Sequence, residues 1–376
     1  MGCTEKSIYY KRLAALRQHL KEASMGDCDT AWIIHPENRR YLSGFKAEDN
    51  QFTESSGSLL INNARSLLVT DSRYVLEAEK EAVDFEVQIL KQGLVEDLPG
   101  LIQGMGTKTL GFEESYLTWG LHKRFIEKLK GLSSGIDLVP LNGLIEEMRE
   151  VKDKDEIKAI EDAADLISEI LNEIIAKLKP GMTEKEVAWE IEALARHGGA
   201  EGLSFPSIVA SGPNSALPHA VPKDRKLGRK EPIIIDAGVR LNGYCSDITR
   251  TVFLGEPGAD FRDIYRTVRH AQVAALKAAR PSADSTHLDT VAREVISKAG
   301  FGENFGHGLG HGVGLAVHER PKVGPRDPVK LKKGTVFTVE PGIYIPGKGG
   351  VRLEEMVLIQ DGGPRILTKN NHFYDF

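Results

Sequence analysis

The clearest pattern in the chain is apolar periodicity in its second half. Ile157, Ile160, Ala164, Ile167, Leu171, Ile174 and Leu178 recur at alternating spacings of three and four, a single stripe down one side of a helix. Pro180-Gly181 ends that helix. Thr183 then opens a capping box with Glu186, and a second helix carries Val187, Ile191 and Leu194 as far as Gly198-Gly199. Short apolar runs that read as strands follow, then two more helices at about 260–279 and 285–299, then glycine-rich loops and further strands. Helices and hairpins arriving in blocks, without regular βαβ alternation, predict an α+β domain.

The first part alternates faster. Tyr10 to Ala23 reads as an amphipathic helix, and Ala31-Trp32-Ile33-Ile34 as a short buried strand stopped by His35-Pro36. Ser58-Leu59-Leu60-Ile61 and Ser66-Leu67-Leu68-Val69-Thr70 flank Asn62-Asn63 as a hairpin. Strands interleaved with helices predict an α/β domain. The strand Ile136 to Val139 ends at Pro140, and the boundary falls between Gly143 and Glu150, giving domains 1–145 and 146–376. Gly131-Leu132-Ser133-Ser134-Gly135 formally matches G-x-S-x-G, but a nucleophile elbow needs a strand before it and a helix after it. Here the order is reversed, so the segment reads as a loop.

Composition narrows the class without naming a chemistry. The chain has 376 residues, 41% hydrophobic and 27% charged, which excludes collagen-like, disordered and disulfide-scaffold classes. A net charge of −5 from 49 basic and 54 acidic residues speaks against a nucleic acid partner. No apolar run approaches the roughly 20 residues of a membrane span. Met1 to Ser7 holds no apolar signal core, and Lys6 takes the Ser/Thr position of a myristoylation signal. Three widely spaced cysteines, Cys3, Cys28 and Cys245, suit free thiols. The expectation is a cytoplasmic protein with no membrane and no nucleic acid partner.

Two hairpins carry the candidate chemistry. In Pro232 to Phe253, apolar runs flank Asn242-Gly243, a strong hairpin signal. With that pair at the turn centre, Asp236 faces Thr249 and Asp247 is its diagonal neighbour; a slip of one residue per side makes the two aspartates face each other. Either register puts two carboxylates on one side. An Asp after three isoleucines needs a compensating charge. Thr338 to Val357 reads as a second hairpin with Pro346 to Gly350 as its loop. Reflecting Glu340 about Gly347 lands on Glu354 and leaves Glu355 on the other face.

A third segment, Gly306-His307-Gly308-Leu309-Gly310-His311-Gly312-Val313-Gly314-Leu315-Ala316-Val317-His318-Glu319, alternates glycines with three histidines. No frame in it satisfies G-x-G-x-x-G, and no P-loop lysine follows. His318-Glu319 begins H-E-x-x-H, but Lys322 takes the second histidine position and Pro321 breaks the required helix, so that zinc motif fails. Two Asp, two Glu and one of these histidines form a hard, oxygen-rich set suited to Mn, Co, Fe or Mg. Four crowded carboxylates repel one another unless about two divalent cations neutralise them. Cys245 shares the strand face of Asp247 but reads as a packed free cysteine.

In order and spacing these residues resemble the pita-bread metallopeptidases, the family of aminopeptidase P, prolidase, methionine aminopeptidase and creatinase. The match covers nearly the whole chain. Asn38-Arg39-Arg40-Tyr41-Leu42-Ser43-Gly44-Phe45 resembles the family's non-catalytic N-terminal domain, and Arg149-Glu150-Val151-Lys152-Asp153 to Ile157 resembles the start of its catalytic domain. The resemblance implies a smaller α/β creatinase-type domain followed by an α+β pita-bread catalytic domain. It implies that Asp236, Asp247, His311, Glu340 and Glu354 hold two divalent metal ions, Mn first, with Co, Zn or Fe as options, and that Asp247 and Glu354 bridge them. It also implies substrate contacts from His219, His307, His318 and Arg352, catalytic roles for Glu340, His219 and His318, and a homodimer.

Within the family, the complete ligand set argues against creatinase, and the full N-terminal domain against a typical methionine aminopeptidase. Arg352 two residues before Glu354 and His307 four before His311 look like the proline-directed branch. The substrate expected from the resemblance is a peptide with proline second, cleaved at the Xaa-Pro bond to release the N-terminal residue. A hydroxide bridging the two metals would attack, Glu340 would carry its proton to the leaving nitrogen, and His219 and His318 would steady the oxyanion. No insertion in the catalytic half is evident that would close the pocket beyond proline. This favours a Xaa-Pro aminopeptidase over its alternative, a Xaa-Pro dipeptidase (prolidase). A catalytically inactive binding module is a more distant alternative, and it would be expected to have lost ligands.

Overall fold

The computed structural model describes residues 7–22, 28–49, 55–131 and 135–376. Residues 132–134 of the G-x-S-x-G match, and Cys3, lie outside them. The chain divides into two compact units, Met1–Met148 and Arg149–Phe376. No helix among the described residues is long and apolar enough to cross a membrane.

The first unit is built on a six-stranded sheet in the order Glu86–Ile89, Ser66–Thr70, Ser58–Asn62, Thr30–Ile33, Thr109–Phe112, Asp137–Pro140. The expected hairpin forms with Leu60 opposite Leu67, and the Asn62 side-chain oxygen accepts from the backbone N–H groups of Ala64 and Arg65. Pro36 stops the buried strand by starting a helix, Pro36–Ser43, whose first turn needs no proline N–H. The first helix, Ile8–His19, begins and ends earlier than its apolar pattern indicates. In the Asn38 to Phe45 motif, Arg39 is a structural post: it is fully buried and donates to Gly57 O, Ala47 O, Ser56 Oγ and the Asp49 carboxylate.

The second unit opens with the striped helix, Lys154–Lys177, followed by Glu184–His197, each started by a reciprocal capping box, Asp153 with Glu156 and Thr183 with Glu186. The stripe (Ile167, Leu171, Ile174) packs on Val209, Ile233, Ile235 and Val252, so both helices back the aspartate hairpin. A second helix pair, Ala259–Ala278 and Ser285–Lys298, shares a core with Phe337, Val339, Ile343, Val351 and Val357 and backs the glutamate hairpin. Burying an aliphatic side chain of this size contributes about 1.5–3 kcal/mol.

Both hairpins are paired on either side of an interruption. Pro232–Ala237 pairs with Ile248–Phe253 so that Asp236 faces Thr249, the unslipped register. Pairing resumes at Arg240 with Cys245, but in a different three-stranded sheet. Asn242 and Gly243 both have positive φ, 51° and 83°, as a type I′ turn demands. Asp247 therefore lies not within a strand but in the interruption. A Cβ on Gly238 would stand 1.9 Å from the Ser246 carbonyl oxygen, so only glycine lets the chain cross there.

The glutamate hairpin repeats the device. Gly342–Ile345 pairs with Gly349–Arg352, which shortens the loop to residues 346–348 because Ile345 faces Gly349. Beyond the interruption, Val339 faces Glu355 in the five-stranded sheet, in the same register. Glu340 and Glu354 sit in the gap, and their backbone N–H groups go elsewhere: Glu340 to Leu309 O at 2.8 Å, Glu354 to Thr249 O at 3.1 Å. The second of these bonds joins one hairpin to the other at the carboxylates.

Candidate active site

Asp236, Asp247, His311, Glu340 and Glu354 line one cavity of about 490 Å³, together with His219, His307, His318 and Arg352. Ligand atoms of Asp247, His311 and Glu354 all lie within 4.8 Å of one another. His311 Nε2 is 3.7 Å from Asp247 Oδ2 and 3.3 Å from Glu340 Oε1. The Nδ1 of His311 is 3.1 Å from the Gly312 carbonyl, which accepts only, so the proton sits on Nδ1 and Nε2 is turned to the carboxylates.

The electrostatics fit a cation. Asp236 Oδ1 and Glu354 Oε1 are buried with no hydrogen-bond partner among the described residues, a rare condition for carboxylate oxygens. Burial, then the charges of Glu354, Asp236 and Glu340, push the Asp247 carboxyl well above the usual range. Burial, then Glu340 and Asp236, do the same to Glu354. Burial also raises Asp236, opposed by Arg352. Burial by itself would raise Glu340 as well, yet the hydrogen bond and charge of His311, with His307 and Arg352, bring it down to about 2. His311 answers in kind: burial disfavours its charged form, but Glu340 raises it overall. Without a metal the cluster must therefore hold protons, and divalent cations would displace them. Cys245 is buried beside Ile160, Ala164 and Val313 as a packed thiol and does not line the cavity.

The four residues expected to touch substrate fall into two pairs. His219 and His318 are exposed at the cavity. His219 follows the turn Gly212–Ala216, and the buried Glu184 carboxylate holds this segment by accepting from Ser211 N, Asn214 Nδ2 and Lys223 N. The ring of His318 lies edge-on to that of His311, centroids 4.3 Å apart. His307 and Arg352, in contrast, are tied to protein. Arg352 donates to Thr249 Oγ1, Pro218 O, Tyr344 Oη and Asp236 Oδ2, four of a guanidinium's five N–H groups. His307 holds its proton on Nδ1 toward Gly308 O, so Tyr344 Oη donates to Nε2 at 3.0 Å.

Sequence reasoning missed Tyr344, whose hydroxyl joins Arg352 to His307 and whose burial pushes its pKa up to about 12. Strand alternation from Glu340 through Gly342 would have found it. It also missed Thr338, which donates to Glu340 Oε1 at 3.2 Å, and the apolar wall of Phe205, Pro206, Ile208, Val221 and Pro222. Nothing in the local pattern of those five residues marks them. The failed H-E-x-x-H match is explained by the fold, since Glu319–Val323 is a strand.

Residues 158–361 match metallopeptidase family M24, and residues 12–151 match the creatinase/prolidase N-terminal domain. A Xaa-Pro dipeptidase of Pyrococcus furiosus is 36% identical over 96% of this chain and 98% of its own. The solved Xaa-Pro dipeptidase from Bacillus anthracis superposes with a TM-score of 0.88 at 34% identity, covering 96% of this chain and 98% of that one. The X-Pro aminopeptidase from Thermotoga maritima gives 0.82 at 38% identity, covering 95% and 97%. With its creatinase-type first unit and pita-bread second unit, the chain belongs to metallopeptidase family M24 and is a peptidase of that family.

Proposed function

We propose that the protein is a Xaa-Pro dipeptidase (prolidase) that works with two divalent ions, Mn first. One observation carries the reading: the five candidate ligands converge on a single cavity in a chain alike over 96% of its length to a Xaa-Pro dipeptidase. This reverses the preference for an aminopeptidase drawn from the sequence, because the relatives favour the alternative. A cavity of about 490 Å³ suits a ligand of dipeptide size, and its wall of Phe205, Pro206 and Val221 gives a compact ring an apolar surface.

Asp236, Asp247, His311, Glu340 and Glu354 would hold the ions. When bound, such ions lower the pKa of a water molecule and polarise a carbonyl. Glu340, steadied by Thr338 and His311, takes up a proton and passes it to the leaving nitrogen. A prolyl nitrogen in a peptide has no hydrogen of its own, so it departs only with that proton. His219 and His318 donate to the carbonyl oxygen as negative charge develops there.

A second reading, Xaa-Pro aminopeptidase, draws on a specific feature. Arg352 is the one Lys or Arg among the described residues lining the cavity, and its donors are largely spent on protein acceptors. Little is left to hold a dipeptide's carboxylate. Paired substrates in the presence of Mn decide the matter. A dipeptidase cleaves Ala-Pro and leaves Ala-Pro-Ala intact, whereas an aminopeptidase cleaves the tripeptide at least as well. Cleavage indifferent to proline would discard both.

A further inference from the structure

We infer that Glu319, ion-paired with Arg149 and Lys152, is the positioning residue of His318, the post around which the turn carrying that histidine is folded. The inference rests on the role proposed above for His318.

The ring of His318 has no hydrogen-bond partner among the described residues, and the edge of His311 packs against it. A working imidazole is ordinarily aimed by a bond to its second nitrogen. Here the aim must come from the backbone. Between Gly312 and Glu319 the chain folds back on itself: Gly314 N–H donates to Ala316 O at 3.0 Å, and Gly314 O accepts from Cys245 N at 2.8 Å. The Glu319 carboxylate fills the inside of that turn. A Cβ on Gly314 would stand 2.3 Å from Glu319 Oε1, and Ala316 N–H points at Oε2 from 3.4 Å.

The carboxylate is held from behind. Its side chain is 6% exposed, with Lys152 Nζ at 2.7 Å from Oε1 and Arg149 Nη2 at 2.5 Å from Oε2. Both cations are themselves buried and belong to the segment that opens this unit. That segment is fixed in turn, since Lys152 N–H donates to Gly334 O at 2.9 Å and Val151 bridges to Thr335. A buried, ion-paired post one residue from a catalytic ring that makes no hydrogen bond among the described residues sets where that ring points. Misplacing a reacting group by about 1 Å can cost roughly 100-fold in rate.

The experiment is a double-mutant cycle on the Mn-loaded enzyme, with Glu319→Gln, His318→Ala and both together. It uses whichever of Ala-Pro, Ala-Pro-Ala and Ala-Leu the wild type cleaves best. A wrong proline assignment then appears as the choice of peptide and leaves the cycle intact. Expected are a kcat lower by roughly 10- to 100-fold in Glu319→Gln, unchanged Mn affinity by calorimetry, and a double variant no slower than His318→Ala alone. Losses that multiply in full, or a loss of Mn in step with rate, would overturn the positioning role. Wild-type turnover in His318→Ala would overturn the role of the histidine and this inference with it. If Glu319→Gln does not fold, Lys152→Met keeps Arg149 on the carboxylate and is read by the same cycle.

Discussion

Arg352 Nη2 holds Oδ2 of Asp236 at 2.6 Å, which leaves Oδ1 as the oxygen with no protein partner among the described residues. A carboxylate gripped on one oxygen cannot swing, so the other is presented in a fixed direction. Arg352→Lys keeps the charge but loses the planar fork that also reaches Thr249, Pro218 and Tyr344. Mn affinity measured by calorimetry should fall by roughly 10- to 100-fold, the usual effect of losing a partner behind a ligand. Unchanged affinity would show that Asp236 needs no such grip.

Chelation should abolish hydrolysis, and added Mn or Co should restore it. Asp247→Ala should fold, as judged by circular dichroism, yet stay inactive at any metal concentration, because Asp247 lies within 4.8 Å of the candidate ligand atoms of His311 and Glu354. Full activity in excess chelator, after verified metal removal, is the result that would refute a metal mechanism.

The exposed histidines separate metal binding from turnover. His219→Ala and His318→Ala should keep near-normal metal content while turnover drops by roughly 10²–10⁴, the range for a positioned proton-transfer group. Metal content by atomic absorption, measured beside kcat, checks this. A parallel loss of both would make the residue a ligand.

The metal-free protein should carry a reversed pH signature. Burial and the neighbouring carboxylates raise Asp247, so the folded state binds a proton that the unfolded chain releases near the ordinary value of about 3.9. Its contribution to stability is whole below that value and is lost as pH climbs toward the folded pKa. In chelator, Asp247→Asn should therefore melt higher than wild type near neutral pH, with the gap narrowing as pH falls toward the ordinary value of about 3.9. A calorimetric scan in which wild type melts higher throughout would remove the premise of carboxylate repulsion.

How much of this could be read from the chain follows from what is local. The Asn242-Gly243 turn and the two-residue period of strands fixed which carboxylates share a face, and the reflection of Glu340 onto Glu354 holds because both flanking ladders keep that register. The interruptions could not be read, because they depend on a distant partner: Glu354 N–H leaves its own hairpin for Thr249. Tyr344 stayed hidden for a related reason, since its hydroxyl gains meaning only from His307 and Arg352. Glu319 appeared only as part of a failed zinc motif, with its cations 167 and 170 residues away. The apolar wall of Phe205 and Val221 could not be read either, since those residues follow no period.

Because each glutamate is unpaired between two ladders in phase, the hairpin tip is mechanically uncoupled from the cavity-lining carboxylates. An insertion between Thr338 and Glu340 would turn the carboxylate to the opposite face. An insertion at Pro346–Lys348, which is exposed and lies beyond the last pair of Ile345 with Gly349, has no such leverage. That tip is a place to graft a fluorophore or an affinity peptide without disturbing the carboxylates at the other end of the hairpin.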